Sequence, residues 1–91
     1  MTKPPEPPLD PEHVAAEARH LQVTLRTARV DICTAESVRV VMARERGTLA
    51  DPSTVAYLSR AHQVEMRERG VEVSNMDAIR HVTEKFQGAD R

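Results

Sequence analysis

The sequence predicts an all-α protein of four helices, arranged as two tandem helical hairpins. Three observations predict it. Apolar residues recur at steps of three and four, the period of a helix face. Asp-Pro pairs, glycines and capping residues punctuate those stripes at hairpin-like intervals. The chain also matches itself, without a gap, at an offset of 41 residues, so that VDICTAESVRVV at 30–41 returns as VEVSNMDAIRHV at 71–82.

Residues 1–9 hold four of the six prolines and read as a disordered, polyproline-like tail. Residues 10–88 are left as one helical domain, with hairpin one at 10–47 and hairpin two at 51–88. Asp10 is placed to cap a first helix whose opening residue is Pro11, a position where the missing N–H costs nothing. Val14, Ala18, Leu21, Leu25, Ala28 and Ile32 then alternate four and three apart and define one helical seam, with the helix running over about 11–29. Thr34 is the expected cap of a second helix, striped by Val38, Val41 and Met42 and stopped at Gly47. One continuous helix over 11–46 is the alternative; the β-branched run from Val30 to Thr34 argues for a break.

Asp51-Pro52 restarts the pattern. Val55, Leu58, Ala61 and His62 give the buried side of a third helix, with Gly70 as its left-handed terminator. Ser74 and Asp77 resemble a capping box, and Met76, Ile79, Val82 and Phe86 form the apolar face of a fourth helix ending near Gln87. Under the same offset Arg19 meets Arg60, Arg26 meets Arg67, Arg39 meets Arg80, Val41 meets Val82 and Arg44 meets Lys85. An internal repeat explains these matches: neither hairpin can bury its apolar face alone, and two together can.

Composition sets the limits. With 91 residues, no Trp, one Tyr and one Phe, the core must be made of Val, Leu, Ala and Met. Each contributes roughly 1.5–3 kcal/mol on full burial, and a domain this small is thinly stable, which favours self-association. A net charge of −1 is poor for a non-specific nucleic-acid binder, whose affinity comes from phosphate neutralisation. A single cysteine, Cys33, fits a reducing compartment, and the absence of a long apolar run or a leader points to a cytoplasmic protein with no membrane partner.

Catalysis is not expected. The three glycines sit at apparent helix ends, and no nucleophile–base set stands out. Cys33 corresponds to Ser74, so that position reads as a small residue beside a cap. His13, His20, His62 and His81 do not recur across the repeat, and His13, Glu17 and His20 on one face lack a further ligand, so no metal, cofactor or small-molecule substrate is expected.

Two functional readings remain. The preferred one is a non-catalytic protein-interaction or assembly module, a homo-oligomer or the partner of a helical protein, with Val14, Ala18, Leu21, Leu25 and Ala28 as interface. Val23, Val40 and Val64, off the main stripes, are candidates for a second apolar surface. The alternative is a small DNA-binding regulator of helix-turn-helix type that uses the second helix of each hairpin, with Arg39, Arg44, Asn75, Arg80 and Lys85 on the nucleic acid.

Overall fold

A computed structural model describes residues 10–47 and 51–87, and among them the protein is all-α. The helices are α1 (Pro11–Thr27), α2 (Thr34–Arg46), α3 (Pro52–Glu68) and α4 (Asn75–Gln87). Every boundary in hairpin two stands 41 residues after its counterpart in hairpin one. The proline-rich tail, Gly88 and the side chain of Phe86 lie outside the described residues.

The chain breaks between α1 and α2, so a single helix over 11–46 does not form. The break is a left-handed turn in which the Val30 amide donates back to the Leu25 carbonyl at 2.9 Å, with Arg29 at φ 62°. Hairpin two repeats it, with Val71 donating to Met66 at 2.9 Å and Gly70 at φ 84°. This is the Schellman arrangement, which satisfies the last carbonyls of a helix. It falls where β-branched residues weaken the helix, and one pair of glutamines holds both copies. Gln22 donates to the Ile32 carbonyl at 3.1 Å and to Thr34 Oγ1 at 3.4 Å. Gln63 donates to the Val73 carbonyl at 2.9 Å and to Asn75 Oδ1 at 2.8 Å. Each staple fixes the incoming loop to the middle of the preceding helix.

The starts of the long helices follow the sequence. Asp10 accepts from the Glu12 amide at 3.1 Å, and Asp51 accepts from the Ser53 amide at 3.0 Å, each just before a proline. The starts of the short helices differ from one another. Ser74 Oγ accepts from the Asp77 amide at 3.1 Å. At the matching place the N-cap of α2 is Cys33, not Thr34, and it makes no side-chain cap bond. A thiol is a weak acceptor, and Thr34 is already inside the helix with its hydroxyl held by Gln22.

The hairpins close as α1 on α2 and α3 on α4, and they join through α1 against α3, with α2 also touching α3. The resulting core holds Val14, Ala18, Leu21, Leu25, Val40, Val41, Leu58, Ala61 and Val82. Two expectations need correction. Val40 (0% exposed) and Val64 (8%) are core residues rather than a second surface; of that trio only Val23 (55%) faces water. The reason is that α2 and α3 each pack against more than one neighbour, so their buried sectors are wider than a single stripe. The apolar face assigned to α4 is also turned: Met76 (73%) and Ile79 (44%) are exposed, while Ala78 (0%) and Val82 (1%) are buried. Ala78 and Val82 match Ser37 and Val41, so α4 meets α3 with the face α2 presents to α1. A small residue at the first position admits close backbone approach.

The missing cap generates a test. Cys33→Ser supplies the hydroxyl that Ser74 supplies in hairpin two, and it is expected to stabilise the fold by about 0.5–1 kcal/mol. Urea denaturation followed by circular dichroism reads the change as a raised midpoint with an unchanged slope.

Candidate functional site

The most distinctive place in the molecule is a cleft of about 100 Å³ where the two hairpins meet. Glu17, His20, Leu21, Thr24 and Arg44 line it from hairpin one. Leu58, Ala61, His62, Glu65 and Lys85, which line it from hairpin two, are their equivalents at the offset of 41, position for position. The two halves therefore turn the same faces toward each other, as subunits do across an isologous contact. His81 and Val82 complete the wall.

The chemistry of the two halves is unequal. Leu21 and Val40, both in the core cluster, have His62 and His81 as counterparts. The two imidazoles stack with ring centroids 3.9 Å apart and planes within 8° of parallel. His62 is half-buried and His81 exposed. Burial, and next the charge His81 would carry, push the His62 pKa below the usual imidazole value. Around the pair, Arg44 Nη2 donates to Glu17 Oε1 at 2.8 Å, and that bond holds the Glu17 carboxyl below its ordinary range. His20 Nε2 lies 3.6 Å from Glu65 Oε2, joining α1 to α3. No group of three or more His, Cys, Asp or Glu able to hold a metal ion occurs among the described residues.

Among the residues predicted to meet DNA, Arg39, Arg44 and Asn75 bond to side chains of their own chain. Arg39 reaches from α2 to the start of α3, donating to Asp51 Oδ2 at 2.9 Å and to Ser53 Oγ at 3.3 Å, and it also bonds Glu36. These carboxylates raise the Arg39 pKa further above its already high value. The Asp51 carboxyl is lowered first by the Ser53 amide and hydroxyl and then by Arg39, and Glu36 is lowered by Arg39. Arg39 is thus a brace across the link between the hairpins. Arg44 is bound to Glu17 and Glu45. Asn75 accepts from Gln63. Arg80 and Lys85 are exposed, Arg80 lying 4.0 Å from Asp77.

Of the predicted protein interface, Val14, Ala18, Leu21 and Leu25 are 6%, 2%, 4% and 0% exposed, and Ala28 is half-buried. The seam packs inside its own chain. Among the described residues, the large apolar side chains that face water are Val23, Val71, Met76 and Ile79, three of them in hairpin two. Ile79 borders a groove with Ala56, Ser59, Arg60, Gln63 and Asn75. Ser59 is 6% exposed, and its hydroxyl has no hydrogen-bond partner. Cys33 is exposed. Among the described residues no helix is long and apolar enough to cross a membrane.

No protein-family model matches the chain, and neither a curated protein nor a solved structure does. Sequence reasoning passed over Gln22 and Gln63, although their identity at the offset was visible. It placed His62 on the buried side of α3 and saw that His62 and His81 stand opposite Leu21 and Val40, but it did not bring the two rings together, because spacing along the chain does not encode a contact between α3 and α4.

The Arg39 brace yields a prediction. Arg39→Ala is expected to lower the urea midpoint, because it unties α2 from the α3 start. Arg80→Ala, its counterpart with one distant carboxylate, is expected to leave the midpoint unchanged. Equal effects would place both side chains on the surface with no structural role.

Proposed function

We propose that the protein is a non-catalytic helical interaction module that associates with a second copy of itself through the outer face of hairpin two. The observation that carries this reading is the exposure of Met76 and Ile79, one turn apart on α4. The counterparts of these two residues behave differently: Val38, which matches Ile79, is packed against the core, and Ala35 takes the place of Met76. At the Ile79 position hairpin two exposes a side chain whose counterpart in hairpin one packs against the core.

The adjoining groove adds chemistry to the apolar contact. Ala56 and Ile79 supply its apolar walls, and Arg60 supplies a donor with an open geometry. Ser59 offers a hydroxyl that gains a partner when an acceptor arrives, and burying such a group unpaired is costly. Methionine suits a surface that packs against another helix, since its flexible thioether fills irregular gaps. The short core supports the same reading, because association buries apolar area that a small domain cannot bury alone. The helix-turn-helix reading draws less support, as Arg39 and Arg44 are engaged with carboxylates of their own chain.

Size-exclusion chromatography with light scattering across a wide concentration range tests this. The wild type is expected to move from monomer toward dimer as concentration rises. Met76→Glu with Ile79→Glu is expected to stay monomeric, with a folding stability within about 0.5 kcal/mol of wild type, as for substitutions at exposed sites. A wild type that remains monomeric throughout contradicts the proposal. So does a double variant that associates as well as the wild type.

A further inference from the structure

We propose that the His62–His81 stack is a pH-sensitive latch on hairpin two: with the rings neutral, α4 stays against α3, and protonation of the pair frees α4. The geometry carries it. Parallel rings with centroids 3.9 Å apart tolerate two neutral imidazoles, or one neutral and one charged. Two imidazolium ions stacked at that separation repel. The pair links α3 to α4, and it stands where hairpin one closes with Leu21 and Val40, which do not titrate. The stacked pair is thus peculiar to hairpin two.

The surroundings relieve the repulsion only in part. On the α3 side His62 meets Glu65 and Arg69, and α4 adds Lys85. Across the cleft α1 contributes Glu17 and His20, and α2 contributes Arg44. Glu17 is held by Arg44 at 2.8 Å. Glu65 favours charge on His62, while Lys85 and Arg69 disfavour it. Proton access is direct, since His81 is exposed.

The direction of the pH effect follows. Folding disfavours the imidazolium of His62, so the unfolded chain binds that proton more tightly. The latch is intact above the ordinary imidazole range and weakens as pH falls through it. Glu17, Glu36 and Asp51 have lowered pKa values, so they lose their charge only at more acidic pH, below this window. Opening bares Ala78 and Val82, which are buried against the core when the latch is shut.

The test compares the full-length wild type with His62→Leu/His81→Val, the residues hairpin one carries at these positions. Thermal unfolding by circular dichroism at about pH 7.5 and about pH 5.5 brackets the imidazole range. The wild-type Tm is expected to fall by about 4–8 °C more than that of the variant. Hydrogen exchange, corrected for intrinsic rates, is expected to show α4 losing protection at the lower pH while α1 and α2 keep theirs. If the double variant does not fold, His81→Val alone, which removes one of the two charges, is expected to flatten the pH response. Equal pH responses in wild type and a folded variant overturn the latch. So does a uniform loss of protection across all four helices.

Discussion

Leu25, Val40 and Val41 lie wholly out of water in the same cluster as Leu58 and Val82, and no single hairpin can arrange that. Their burial needs α3, the helix that packs against α4, α1 and α2 alike. Short antiparallel helices of 13 and 17 residues have little stability alone, because nucleation is costly and a lone pair leaves one face of each helix wet. With no tryptophan, one tyrosine and one phenylalanine in the chain, large side chains add little to compensate. The fold thus depends on one contact, α3 against hairpin one. Other features serve it: the glutamine staples set the angle of each hairpin, and the Arg39 brace ties the α3 start to α2.

The two halves share a backbone plan and differ in what they place on it. Hairpin one carries leucine, valine and alanine at positions where hairpin two carries His62, His81 and Ser59. It keeps Val38 against the core, where hairpin two exposes Ile79. Hairpin one reads as the structural half. Among the described residues, hairpin two holds the stacked histidines, the buried hydroxyl without a partner and three of the four exposed large apolar side chains. An apolar core tolerates polar substitution on one side only if the other side remains well packed. The repeat supplies that division, and a surface for a partner can then form on hairpin two without loss of the domain.

Much of the fold was legible because local chemistry and global packing agree. Asp10-Pro11 and Asp51-Pro52 start the long helices, Gly47 and Gly70 end two helices in the left-handed conformation, and Ser74 caps α4. Periodicity also found the α1 seam at Val14, Ala18, Leu21 and Leu25, yet it could not say whether another chain or this one covers them. That is decided by long-range contact, which spacing does not encode. Met76 and Ile79 were misread for a related reason: they are three apart and apolar, but α4 is oriented by α3, which selects Ala78 and Val82. The α2 cap at Cys33 escaped because Thr34, one residue on, is the better capping side chain in isolation, and Gln22 had already engaged its hydroxyl. The cleft was hidden in plain view. Its residues were all in the offset alignment, but only the folded chain brings Arg44 and Lys85, or Leu21 and His62, into one wall.

The dependence of hairpin one on α3 is the claim on which the rest stands, and one measurement addresses it directly: far-ultraviolet circular dichroism and thermal melting of residues 10–47 as a separate peptide, beside the full chain. The peptide is expected to show weak helicity and a broad, non-cooperative melt, while the full chain melts cooperatively. A peptide that melts in a sharp transition with full helical signal would mean that hairpin one closes its own core, and the account of α3 as its necessary cover would be wrong.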